Sequence, residues 1–384
     1  MTCPRCKSDR YVKVGAGRRM CKDCRKTYNG PERQAEADQR LIEKIGGGVF
    51  QGNSPEHGLT HPVPDGYLMK GASTLYREDG SIAAQWIKST VDEARREEMM
   101  REAFVAMAAE LPQVSPRKAS GTWSSDLLTV YPIGDPHVGM RAWAPETGEN
   151  WDLTIAEQMH CDAMDALVGA APATEQALIV NLGDLFHQDG LTAVTPRSGH
   201  NLDADGRYAK MIQVGIKVIR RCIESALVKH KRVHIINAPG NHDETGALWL
   251  SAALSHMYEN EPRVTVDNNP SVFAYYRWGA VLLGVHHGHS CKPDKLPGVM
   301  ATDRARDWGE TQHRHWLMGH IHHESKREFA GVTVESFNTL AAKDAYAASG
   351  GWRSGRSMQA LVFHRVHGEV ARSKVCADMF AEAA

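Results

Sequence analysis

From about residue 125 onward, short runs of apolar, β-prone residues alternate with longer stretches whose apolar positions recur at helical spacing. The runs 127–133, 177–182 and 233–238 predict strands, and the stretches 152–170, 206–229 and 246–259 predict helices. Further strands are expected at 263–266, 272–277, 280–286, 315–318, 327–336, 358–365 and 369–376. Strands alternating with helices argue for a layered α/β domain, with its polar chemistry gathered at the strand ends.

The first third reads differently. Residues 67–90 alternate as a hairpin does, with a turn at Glu78-Asp79-Gly80, and 91–111 form an amphipathic helical pattern. A short polar helix is expected over 31–45, and the glycines at 46–48 with the stretch 52–64 mark a linker. Residues 1–30 stand apart: Cys3 and Cys6 form one C-x2-C knuckle, and Cys21 and Cys24 another. Two such knuckles complete a tetrahedral thiolate site for one structural Zn, and the intervening residues read as strand, turn, strand, a zinc-ribbon layout. A unit this short lacks a sufficient core, so the metal would supply its folding energy. The expected domains are therefore 1–30, a ribbon; 31–120, a linker and small accessory segment; and 121–384, the α/β domain.

Charge refines this picture in one place. The chain carries a formal net charge of -1, so any contact with nucleic acid must be local. The ribbon supplies such a place: Arg5, Lys7, Arg10, Lys13, Arg18, Arg19, Lys22, Arg25 and Lys26 face only Asp9 and Asp23. A patch of that kind suits a phosphate backbone, with docking of a protein as the alternative. No apolar run approaches the ~20 residues that span a bilayer, and the N-terminus lacks the apolar stretch of a signal peptide. A cytoplasmic protein with no membrane partner is expected. Cys161, Cys222, Cys291 and Cys376 then read as reduced thiols.

Five polar clusters carry the chemistry: Asp135-Pro136-His137, Gly183-Asp184-Leu185-Phe186-His187, Gly240-Asn241-His242-Asp243, His286-His287-Gly288-His289 and Gly319-His320-Ile321-His322. Aspartate, asparagine and histidine at strand ends form the mixed nitrogen and oxygen donor set of a two-metal hydrolytic centre. Such donors without thiolate suit Mn, Fe or Zn. In the fourth cluster His286, His287 and His289 compete. Neighbours on an extended segment point to opposite faces, so His286 and His287 do not both face the metals. His313, His315 and His323 read as ordinary surface or hydrogen-bonded histidines.

In order and spacing these clusters resemble the calcineurin-like metallophosphoesterases, over about residues 125–325. The string Gly183-Asp184-Leu185-Phe186-His187 is similar to one found in Mre11/SbcD-type DNA nucleases, as is Asp135-Pro136-His137-Val138-Gly139, and Lys70–Tyr76 with Gln85-Trp86 looks like phage and prophage members. The resemblance implies two divalent ions, Mn favoured and Fe, Zn or Mg as alternatives. Asp135, His137, Asp184 and His322 would hold the first, and Asp184, Asn241, His287 and His320 the second, with Asp184 bridging. A glycine after the histidine picks His287 in the fourth cluster. His242 would act as general acid, Asp243 would orient it by accepting its ring N–H, and His187 would place the substrate phosphate.

The leading functional reading is thus a metal-dependent DNA nuclease. The alternative is a phosphoesterase acting on a nucleotide, another small phosphodiester or a phosphoprotein. A non-enzymatic binding protein is disfavoured because every expected ligand is present. About sixty residues follow the last cluster, too few for the capping domain and partner-binding tail of Mre11-type proteins, so an ATPase partner is not implied. A homo-oligomer stays open. The polar loop 188–205, with Thr192, Thr195, Arg197, His200 and Asn201, is a candidate substrate-facing segment, and Arg353 and Arg356 are candidate phosphate contacts.

Overall fold

The computed structural model describes residues 121–380 continuously, together with 10–13, 18–22, 27–29, 67–77, 79, 81–91, 98, 114 and 115. It divides into two compact units, 1–102 and 103–384. In the first, β1 (Tyr11–Lys13), β2 (Arg18–Cys21) and β3 (Thr27–Asn29) form an antiparallel three-stranded sheet. The third strand goes beyond the two expected there. Cys21 is buried in β2, and Cys3, Cys6 and Cys24 lie outside the described residues. The same unit holds a long hairpin, β4 (Tyr67–Tyr76) and β5 (Ile82–Val91), closed where the Asp79 carboxylate accepts from the Ser81 N–H and hydroxyl. The helix expected at 31–45 falls outside the described residues, as does the one at 91–111 except for Val91, which ends β5, and helical Glu98.

The second unit is built on two sheets. The strand β6 (Ser124–Ile133) leads through α1 (Ala144–Thr147) and α2 (Leu153–Ala170) to β7 (Thr174–Asn181). From there α3 (Tyr208–Lys229), β8 (Arg232–Asn237), α4 (Glu244–Met257) and β9 (Val264–Val266) follow. The strands β10 (Ala274–Trp278) and β11 (Val281–Val285) precede α5 (Leu296–Asp303), α6 (Ala305–Glu310) and β12 (His313–Met318). The chain closes with β13 (Ser325–Phe329), β14 (Val332–Ser336), α7 (Ala345–Ser349), β15 (Ser357–His364) and β16 (Gly368–Cys376). One sheet has the order β16-β15-β6-β7-β8-β9, parallel from β6 to β9; the other is β10-β11-β12-β14-β13, parallel from β11 to β14.

Period-two alternation along the central strands explains the layering. Leu128, Val130, Leu178, Val180 and Ile236 point one way and pack against Val281, Leu283, Val285 and Leu317 of the other sheet. Tyr131, Ile133, Ala177, Ile179, Val233 and Ile235 point the opposite way, onto Leu167, Ile219 and Leu254 of the helices. On the outer face of the second sheet Leu282, Trp316, Met318 and Val334 are covered by Leu296 and Met300 of α5. The result is helix, sheet, sheet, helix: the layered α/β fold the pattern predicts.

Two expectations need correction. The single strand at 327–336 is a hairpin, β13 and β14, broken at Ala330-Gly331, where Gly331 takes a left-handed φ of 80°. The short helices α1, α5, α6 and α7 were not anticipated. Among the described residues no helix is long and apolar enough to cross a membrane, and Cys161, Cys222, Cys291 and Cys376 are free thiols.

Candidate metal centre

Parallel strands deliver the polar clusters to one edge. Asp135 and His137 follow β6, Asp184 follows β7, Asn241 and His242 follow β8, His287 follows β11, and His320 and His322 follow β12. Every one lies past the C-terminal end of its strand, where chain crossovers leave room for a site.

The side chains converge in three groups, each with its donor atoms within 4.8 Å of one another: Asp135, His137 and His322; Asp184, His287 and His320; and His137, His187 and His242. The first two groups each draw ligands from both sheets. In the first, His137 Nε2 lies 3.1 Å from His322 Nε2, which is 3.4 Å from Asp135 Oδ1. In the second, His287 Nε2 lies 3.1 Å from both Asp184 Oδ2 and Asn241 Oδ1.

Backbone conformation is part of this arrangement. Asp135, His137, Asp184, His320 and His322 all take left-handed φ, from 44° to 71°, and they are the only non-glycine residues to do so among those described. That conformation is uncommon for non-glycine side chains and persists where the surroundings enforce it. Here the restraints are visible. The Asp135 carboxylate accepts from the His320 N–H at 2.8 and 3.0 Å, and Thr339 Oγ1 donates to the Asp135 carbonyl at 2.6 Å. The Asp184 Oδ1 accepts from the His242 N–H at 2.8 Å.

Tautomers follow from fixed acceptors. A carbonyl oxygen can only accept, so His287 Nδ1, 2.8 Å from the Leu182 carbonyl, carries a hydrogen. Its Nε2 then presents a lone pair to two oxygen acceptors, an arrangement that calls for a cation. Without metal that cation is a proton: burial disfavours it, but the Asp184 carboxylate outweighs burial and raises His287 to about 10. His137 behaves oppositely. Burial, reinforced by His242 and His322, holds it well below the usual histidine range, as the neutral imidazole a metal requires. Two clusters of converging lone pairs, each with a carboxylate and two imidazoles, fit two divalent ions.

By the same logic His242 Nδ1 donates to the His187 carbonyl at 2.8 Å, which leaves Nε2 as its exchangeable nitrogen. This corrects the role expected of Asp243. Its carboxylate does not meet the His242 ring; it accepts from the backbone N–H groups of Asp184, Phe186 and Gly240 at 3.0, 3.1 and 3.0 Å. Asp243 thus ties together the two loops that carry Asp184 and Asn241. His187 is buried, its Nδ1 3.2 Å from His137 Nδ1 and its ring stacked on His242 at 5.4 Å.

Other candidates divide cleanly. His286 turns away from the clusters, stacked on Phe273 at 4.8 Å with Nε2 3.0 Å from Ser290 Oγ. His289 stands beside them, its ring 5.4 Å from His287. His313 and His323 bond backbone carbonyls, and His315 packs on Phe363. Arg356 is occupied by the Leu340 carbonyl and Glu149 and lies over Trp151, so it is not a phosphate contact. Arg197 pairs with Glu244, the first residue of α4. No sequence signal marked Thr339, or Asp189, whose carboxylate accepts from the Thr245 and Gly246 N–H groups at 2.7 and 2.8 Å. Neither sits in a recognisable motif; only the fold brings them there.

No curated protein matches the chain. Among solved structures it is similar to wild-type Vps29 complexed with Zn from Entamoeba histolytica, at 15% identity over 65% of this chain and 99% of that one, with a TM-score of 0.29. It is also similar to a dimetal phosphatase from Danio rerio, at 8% identity over 65% of this chain and 99% of that one, with a TM-score of 0.35. The model of the calcineurin-like phosphoesterases matches residues 128–341, from the middle of β6 to just beyond Thr339. That stretch is more than half of the 384 residues and holds both ligand groups, so the chain belongs to the calcineurin-like phosphoesterase family.

Proposed function

We propose that this phosphoesterase is a dinuclear-metal phosphodiesterase acting on DNA. The observation that carries the hydrolytic part is the pair of ligand groups beside a histidine with a fixed tautomer. Asp135, His137 and His322 would hold one ion, and Asp184, Asn241, His287 and His320 the other, with Asp184 reaching both. Two divalent ions there supply an activated water and neutralise charge on the phosphate oxygens. His242, anchored through Nδ1, presents Nε2 for protonation of the leaving oxygen. Asp243 keeps the Asp184 and Asn241 loops in register, and His187 holds the His137 ring at one nitrogen and the His242 ring through its own carbonyl.

The DNA part is supported by the likeness of the 183–187 string to the Mre11/SbcD-type nucleases and by the cationic run at 5–26. In this reading Cys3, Cys6, Cys21 and Cys24 hold a structural Zn, that module grips the phosphate backbone, and Mn serves in the catalytic pair.

The test is hydrolysis of end-labelled linear and closed circular DNA, single- and double-stranded, with Mn or with EDTA, alongside a small phosphodiester. The expected result is Mn-dependent DNA cleavage that falls about 10²- to 10⁴-fold in His242→Ala while the metal content is unchanged. Cleavage of the small diester with DNA left intact would remove the nuclease reading in favour of a nucleotide or phosphoprotein substrate.

A further inference from the structure

Two segments leave the metal centre separately and meet again outside it. One is the loop 188–205, which departs just past Asp184 and His187. The other starts at Thr339, whose hydroxyl rests on the Asp135 carbonyl, and runs through Lys343 and α7 to Trp352 and Arg353. They join where the His200 ring stacks on Tyr346, 6.5 Å apart and inclined by 25°. Trp352 stands edge-on to the same tyrosine at 5.1 Å. Tyr346 is 68% exposed and Trp352 55%. The segment thus presents a ledge of aromatic rings to solvent, on a chain stretch anchored to a metal ligand.

Beside the ledge lies an open cleft of about 580 Å³ between the α1 and α7 segments, with Lys343 and Arg353 among its lining residues. Arg353 is held by the carbonyls of Trp352 and Ala348, which fixes its position next to the rings. Two exposed aromatic rings thus stand beside a held guanidinium, with Lys343 and one carboxylate, Glu146, in the same lining. They match what an unpaired base and its flanking phosphate require, since any base stacks on an aromatic face and the cations meet the backbone.

We infer that Tyr346 and Trp352 form a stacking ledge for an unpaired nucleobase of single-stranded nucleic acid whose phosphodiester lies at the metal centre. The inference rests on the nuclease reading and adds to it a strand preference: bases within a duplex are already stacked and offer only their edges to this surface.

The test uses the full chain loaded with Mn and three substrates: a single-stranded oligonucleotide, an abasic phosphodiester chain of the same length, and a small phosphodiester. Tyr346→Ala and Trp352→Ala should each raise KM for the base-bearing strand by about five-fold or more. The abasic chain and the small diester should be cleaved as by wild type, and Tyr346→Phe and Trp352→Phe should restore KM. Unchanged KM on the base-bearing strand in both alanine variants would remove the ledge and leave the nuclease reading standing. Equal loss on the base-bearing and abasic chains would also overturn it, since stacking would then play no part. If wild type cleaves the small diester and neither long chain, the nuclease reading falls and the ledge with it.

Discussion

Gly240 shows how little room the centre leaves. A Cβ at this position would lie 2.0 Å from Asp184 Oδ1 and 2.3 Å from the Asp184 backbone nitrogen. Gly240→Ala should therefore displace the carboxylate and lower phosphoesterase activity about 100-fold or more, with metal content per chain falling in parallel; full activity with normal metal loading would contradict this. A second prediction concerns His287. Its metal-free value, about 10, stands above the ordinary 6.5 because Asp184 outweighs burial. The stabilisation is fully present below pH 6.5 and is lost as pH rises through 10. Melts in EDTA should thus show a Tm that falls across that window, while metal affinity, which requires loss of the proton, should rise. A flat profile in EDTA would mean that His287 and Asp184 do not share a charge as described. The identities of the clustered residues were legible in the sequence, because aspartate, asparagine and histidine recur past several apolar runs in one order and spacing. The role of Asp243 was not. Its adjacency to His242 suggested a side-chain pair, but the two residues diverge at the start of α4, and Asp243 turns inward to three backbone N–H groups.

Among elements, α4 has a start that depends on a distant loop. Its N-cap residue Asp243 makes no side-chain cap, and the N–H groups of Thr245 and Gly246 are taken instead by Asp189. Asp189→Ala should cost about 0.5–2 kcal/mol, the range for loss of a helix cap, and should loosen the 188–205 loop from α4. Chemical denaturation with limited proteolysis of that loop checks both; unchanged stability would show that solvent replaces the cap at no cost. The long elements were readable because their patterns are redundant: β6, β7 and β8 are apolar on both faces, and α2 and α3 repeat an apolar stripe over 18 and 22 residues. The hairpin of β13 and β14 was read as one strand because its turn is marked by little more than Gly331. The helices α5 and α6, of 8 and 6 residues, are too short for a period to emerge.

At the scale of the molecule, the two sheets meet through the Leu178, Val180, Val285 and Leu317 layer and again through the ligands. Metal binding should stabilise the catalytic unit with the logarithm of ion concentration, by about 2.7 kcal/mol when free ion exceeds its Kd 100-fold. Calorimetry with graded Mn would show this as a rising Tm, reversed by EDTA; a Tm indifferent to metal would separate ion binding from the fold. The straddling of the two sheets by both ligand groups has a mechanical consequence. An ion held in either group would act as a rivet through two plates, since its ligands come from both sheets. Pulled apart by their edges, riveted plates should yield late and together, whereas bare ones should peel from the rim inward. The same two rivets would keep the plates from sliding past each other during turnover, so that the distance between the ions is set by the stiffness of the whole sandwich and not by any one loop.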